Sequence, residues 1–102
     1  MLAHNVYFTL NDPTDENIAN LVAACHHFLK DHPGVVFYAA GTCEPELARP
    51  VNDRDFQVAL HVVFDSRASH DTYQVSDRHQ KFIAENNASW KQVRVFDSVV
   101  DG

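Results

Sequence analysis

Phe56-Gln-Val-Ala-Leu-His-Val-Val-Phe64 is the stretch on which the fold turns. Phe56, Val58, Leu60, Val62 and Phe64 fall on one side of an extended chain, and Gln57, Ala59, His61 and Val63 fall on the other. Successive side chains of a strand point to opposite faces, so this pattern predicts a strand with one thoroughly apolar face. Its second face also carries Ala59 and Val63, too apolar to sit comfortably in water.

Upstream, His4, Val6, Phe8 and Leu10 alternate with Asn5, Tyr7 and Thr9, which predicts a first strand. The turn residues Asn11-Asp12-Pro13-Thr14 break it. Thr14 or Asp15 then caps a helix whose apolar positions are Ile18, Leu21, Val22, Cys25, Phe28 and Leu29, a one-sided helical stripe. His32-Pro33-Gly34 ends that helix, because Pro33 cannot continue it and Gly34 is free to turn left-handed. Val35 to Gly41 is β-branched and aromatic, hence a second strand. Residues 42–54 show no periodicity, and a polar connection of that length suits a lid, a rim, a subunit contact or a solvated loop.

Downstream, Ser66 is placed to cap a short helix through Tyr73, and Ser76 to cap a second helix, with Asp77 in its first turn. His79, Phe82, Ile83 and Trp90 follow helical spacing and are expected on one face of it. Val93, Val95 and Val99 alternate on a last strand. The order βαββαβ predicts an α+β, ferredoxin-like sandwich: a four-stranded antiparallel sheet with helices on one face. Tyr7, Phe37, Ala59 and Val63 would then line a face no helix covers, and a homodimer pairing two such sheets would bury them. His61 would lie inside that pairing, where two copies could make it sensitive to pH.

Composition narrows the function classes. A chain of 102 residues suits one domain spanning 1–102, large enough to bury a core without a disulfide or metal staple. The formal charge of −6, with no local run of Lys or Arg, argues against nucleic acid as a partner. There is no run of about 18 apolar residues and no basic-then-apolar leader, so no membrane partner is expected and the cytoplasm is the default location. The sequon Asn87-Ala-Ser89 is read as accidental in that setting. Cys25 on the helix stripe reads as a reduced core thiol, and two cysteines make no disulfide scaffold.

At this resolution the chain resembles the stress-responsive dimeric α/β-barrel (Dabb) family almost end to end. The resemblance runs through His4-Asn-Val-Tyr-Phe8, His32-Pro-Gly-Val-Val36, Asn52-Asp-Arg-Asp-Phe-Gln-Val-Ala-Leu60, Val63-Phe-Asp-Ser66, the Tyr73 and His79 pair, and Trp90-Lys-Gln-Val-Arg-Val-Phe-Asp97. It implies a ferredoxin-like subunit and a homodimer whose two sheets form a barrel. Most members have no assigned activity, but one is similar to what this chain would need for chemistry: a plant polyketide (olivetolic acid) cyclase, which closes a linear tetraketide by aldol condensation without a cofactor. Tyr73 and His79 fall on its catalytic pair, and His4 on a third polar position of the pocket. Val6, Phe8, Leu60, Phe82, Trp90 and Val95 fall on its apolar wall. The family often has His-Pro before the second histidine, whereas Ser76-Asp77 stands here and makes the surroundings more acidic.

Three readings of that constellation stay open. In the first, the chain is a stress-associated binding domain with a small apolar pocket for an apolar or carbonyl-rich ligand. In the second it is a cofactor-independent cyclase or lyase, with His79 as general base, Tyr73 as oxyanion donor and His4 orienting the substrate. A dipole at the start of a helix would keep His79 neutral. In the third, the histidines are merely satisfied inside a filled core and the chain is a structural dimerisation module. Seven histidines invite a metal site, but no HxxxH or CxxC spacing occurs, His26 and His27 diverge on their helix, and His61 and His4 lie on opposite sheet faces. No metal and no cofactor is therefore expected, and His26, His27, His32 and His70 are read as solvated surface residues.

Overall fold

The computed structural model describes residues 1–102. Strands β1 (Leu2–Leu10), β2 (Val35–Thr42), β3 (Val58–Phe64) and β4 (Trp90–Val99) form one antiparallel sheet in the order β2-β3-β1-β4. Helices α1 (Asp15–Leu29), α2 (Arg67–Val75) and α3 (Asp77–Asn86) complete the ferredoxin-like βαββαβ fold, and a single 3-10 turn, Asn87–Ser89, leads into β4. None of these helices is long and apolar enough to cross a membrane.

The helix starts follow the capping chemistry of the sequence. Thr14 accepts a hydrogen bond from the Asn17 amide, Ser66 from Ser69 and Ser76 from His79. Behind α1, Asp31 and Gly34 take left-handed backbone with φ of 65° and 82°. Gly34 is fixed by space as well as by torsion, since a Cβ there would lie 2.2 Å from Ser69 Oγ. Arg78 of α3 donates to the carbonyls of His27 (2.9 Å) and Lys30 (3.0 Å), satisfying the end of α1 from a neighbouring helix.

The core lies between sheet and helices, where Val6, Phe8, Leu21, Cys25, Leu29, Val58, Leu60, Val62, Phe64 and Phe82 are buried together. Burial pushes the Cys25 thiol up to about 12, so it stays a neutral apolar filler. Ala3, Asn5 and Tyr7 of β1 pair with Val63, His61 and Ala59 on the opposite face. Across from them on β4, Tyr7 pairs with Arg94 and Asn5 with Phe96. Phe37 and Phe96 remain about half exposed on that uncovered side, at 55% and 54%.

Two sequence expectations are corrected by the backbone. Phe56 is not part of β3: the strand starts at Val58, and Phe56 packs edge-on against Tyr7 at 4.9 Å on the uncovered face. Gln57 causes the departure, because its N–H bonds the Phe8 carbonyl (2.9 Å) while its side-chain oxygen accepts from Leu10 N–H (2.7 Å), turning the chain before the ladder begins. Trp90 is not on α3 either. The helix ends at Asn86, and Asn87–Ser89 folds into the 3-10 turn, so Trp90 opens β4 opposite Leu10. The connection after β2 is pinned at its far end, where Asp53 accepts from Arg94 at 2.5 Å and the Asp55 carbonyl accepts from Thr9 Oγ1 at 2.7 Å.

Candidate functional site

The face of β1 that meets the helices carries His4, Val6 and Phe8, and its neighbour β3 contributes Leu60. From β4, the pairs Val6 with Val95 and Phe8 with Val93 place two valines on the same side. On α2, His70, Tyr73 and Gln74 stand at i, i+3 and i+4 and so share the face turned toward the sheet. His79 in the first turn of α3 and Phe82 one turn later close the other side. His4, Val6, Phe8, Leu60, Tyr73, His79, Phe82, Trp90 and Val95 thus meet around one cavity of about 180 Å³. Trp90 reaches it from the start of β4, its ring 5.0 Å from Phe8 and 5.6 Å from Phe82. Leu29, Gln74, Ile83 and Val93 complete the wall.

Three polar atoms on this wall are buried and without a partner: Tyr73 Oη, His79 Nδ1 and Trp90 Nε1. A buried polar atom left unpaired costs about 1–3 kcal/mol, and native proteins carry few of them. Here three surround one cavity. Tyr73 and His79 face each other edge to face with ring centroids 4.8 Å apart. Burial holds the Tyr73 phenol above its ordinary value, so it stays protonated as a donor. Burial also lowers His79 to about 4, with the nearby His4, His32 and His70 imidazoles adding to the effect, so its ring is neutral at pH 7. The neutral ring therefore comes chiefly from desolvation, and the exposed Asp77 does not reverse it.

His4 does not bond His79 or backbone. Its Nδ1–H donates to Asp97 Oδ1 at 2.5 Å, because antiparallel register sets Asp97 directly opposite on β4. The ring's other nitrogen is then an acceptor, and the Gln74 amide lies 3.4 Å from it. Burial outweighs the Asp97 hydrogen bond and leaves the imidazole below its ordinary value.

Two histidines read as solvated are not. His32 is buried, donates Nε2–H to the Phe28 carbonyl at 2.8 Å and packs edge-on against Tyr73 at 4.9 Å. The left-handed Asp31 turns it back under the end of α1. His70 is only 15% exposed in its side chain and packs against His4 at 5.0 Å, because it shares the inward face of α2 with Tyr73 and Gln74. Sequence reasoning also missed Asp97 and Gln74. The parity of Val93, Val95 and Asp97 was a signal for the first, and helical spacing from His70 for the second.

The stress responsive A/B barrel domain family matches residues 2–100. Among solved structures, a dimeric ferredoxin-like protein of unknown function from Thermobifida fusca is similar at a TM-score of 0.79 and 19% identity, covering 97% of this chain and 90% of that one. A Dabb family protein with a ferredoxin-like fold from Mesorhizobium loti is similar at 0.79 and 17%, covering 99% and 97%. The hydroxynitrile lyase from Passiflora edulis is similar at 0.76 and 19%, covering 98% and 93%. No curated protein matches the chain. At these identities the structural neighbours show the fold, and the match over residues 2–100 shows the family: the chain belongs to the stress responsive A/B barrel domain family.

Proposed function

We propose that the cavity binds a small, largely apolar molecule bearing at least one hydrogen-bond acceptor, and that the chain works as a homodimer paired through its uncovered sheet face. The observation that carries the first part is the set of three unpartnered buried atoms, Tyr73 Oη, His79 Nδ1 and Trp90 Nε1, around one cavity. An acceptor such as a carbonyl oxygen satisfies the Tyr73 and Trp90 donors, and a purely structural module has no use for such a cluster. An apolar cavity of about 150 Å³ holds benzene, so the volume of about 180 Å³ suits one substituted ring. The homodimer rests on the apolar uncovered face, with Phe37 and Phe96 exposed on it, and on the dimeric description of relatives. Cys25 and Cys43, both free thiols, fit the cytoplasm.

Trp90, the sole tryptophan, reports on the cavity directly. Titration of its fluorescence with acetophenone should give saturable binding, with the near-isosteric hydrocarbon cumene several-fold weaker. Tyr73→Phe should erase that preference. Equal binding of both compounds, or none, overturns the reading.

A second reading, a cofactor-independent cyclase or lyase, is favoured by one specific feature: Tyr73 and His79 stand together in the cavity wall, each with a buried polar atom that has no partner. In it His79 takes a proton, Tyr73 donates to the developing oxyanion and His4 orients the carbonyl. A base near 4 is far from the ideal at pH 7, which ranks this second. Once a turnover is found, a rate indifferent to both Tyr73→Phe and His79→Ala excludes it.

A further inference from the structure

Two imidazoles, His4 in the cavity wall and His70 packed against it, are arranged alike. His4 donates from Nδ1 to Asp97 at 2.5 Å, and His70 donates from Nδ1 to Asp71 at 3.0 Å. A carboxylate accepts only, so in the neutral form of each ring the proton is on Nδ1 and the Nε2 lone pair is free. Both lone pairs then turn to one atom. The Gln74 side-chain nitrogen lies 3.4 Å from His4 Nε2 and 3.4 Å from His70 Nε2. An amide nitrogen has two hydrogens and here gives one to each ring, at a length where hydrogen bonds are weak. The ligating atoms of His4, His70 and Asp97 lie within 4.8 Å of one another.

Two imidazoles with carboxylates at Nδ1 and their Nε2 atoms turned to one point are the arrangement that metal-binding histidines adopt, the carboxylate fixing the tautomer and raising the basicity of the ligand. Imidazole nitrogens select zinc and its first-row neighbours over magnesium or calcium. We propose that His4 Nε2 and His70 Nε2 form a Zn²⁺ site, with the Gln74 amide rotating to offer its oxygen as third ligand. His4 and Gln74 also line the cavity, so the ion's remaining position faces it and takes a water or a ligand oxygen. From the neutral rings no proton need leave the protein, because with Nδ1 protonated each Nε2 holds a lone pair. The histidines are 66 positions apart in the sequence, so no local spacing motif announces the site. The site stands independently of the reading of the cavity, since an ion can bind whether or not an organic ligand does.

Calorimetric titration of the untagged protein with Zn²⁺ tests it, alongside Co²⁺ absorption in the visible, which reports coordination geometry. One ion per chain is expected, with Co²⁺ giving the intense bands of a four-coordinate site. His70→Ala should abolish saturable binding. Asp71→Asn, an exposed change that leaves the ligands in place, should weaken binding about 10–100-fold, as loss of a supporting carboxylate does. His26→Ala and His27→Ala, on the exposed side of α1, should change nothing. No saturable binding by the parent chain, or binding unaltered by His70→Ala, overturns the proposal.

Discussion

The two faces of the sheet are made by the same strands and yet differ in kind. On the helix-covered face, apolar side chains enclose three polar atoms that lack partners. On the other face the polar groups are paired, as in His61 with Asn5 at 2.8 Å and Arg94 with Asp53, while aromatic rings such as Phe37 and Phe96 stay in water. One face keeps its unpaired polar atoms inside an enclosed, largely apolar wall, and the other leaves apolar rings in the open. The covered face is thereby suited to a small molecule with a polar tip, and the uncovered face to a broad apolar surface such as a second copy. Strand parity alone separates them, so a shift of one residue would exchange the two.

The sharpest way to break this contrast is to damage the covered face. Phe8→Ala removes a ring packed on Phe82 and Trp90 and should lower stability by about 3–5 kcal/mol in urea unfolding. A loss under about 1 kcal/mol would mean the cavity wall is already soft.

Acidification acts next. His79 sits near 4 in the folded chain against 6.5 as the ordinary value, so below 6.5 the unfolded chain binds the extra proton. Stability is then fully present above about pH 6.5 and falls as pH drops from there toward 4, by about 3 kcal/mol across the window. His79→Gln should flatten that part of the pH profile, and a slope unchanged in the variant would place the sensitivity elsewhere.

On the uncovered face, Phe96→Asp puts like charges into the proposed two-fold pairing and should weaken dimerisation by at least about 2 kcal/mol, roughly thirtyfold, in sedimentation equilibrium. Ligand binding in the cavity should persist in that variant. Loss of both together would show that the two faces are not separate. The smallest effect comes from Tyr73→Phe, which removes an unpaired buried hydroxyl and should raise the stability of the ligand-free chain by about 1 kcal/mol. A fall instead would mean the hydroxyl already has a partner.

Much of this was legible in the chain. Periodicity alone located β1, α1 and the central part of β3, and Ser66 and Ser76 announced the two helix starts. What failed had physical causes. Trp90 matched a helical interval by coincidence, while Asn86, Asn87 and Ser89, poor helix formers, ended the helix first. Phe56 fitted the alternation, but a side-chain bond from Gln57 diverted the chain. The environment of His4 depended on strand register: parity with Val93 and Val95 puts Asp97 on the right face, but only the pairing of distant strands sets it opposite His4. His70 was misread because α2 is short and charged, and its inward face shows only once Tyr73 anchors it.

The placement of β4 beside β1 has a consequence for how the protein is made. Leu2 pairs with Val99, so β1 waits for β4, which follows every other strand of this fold, before its second edge is satisfied. Trp90, Val93, Val95 and Asp97 all arrive on that final strand. The rest of the domain can collapse earlier, as chains fold from their N-terminal side during synthesis. Slow pairing of distant segments then makes the cavity the final feature to form. A nascent chain halted short of β4 has helices and three strands, but lacks the Trp90, Val93 and Val95 side of the cavity.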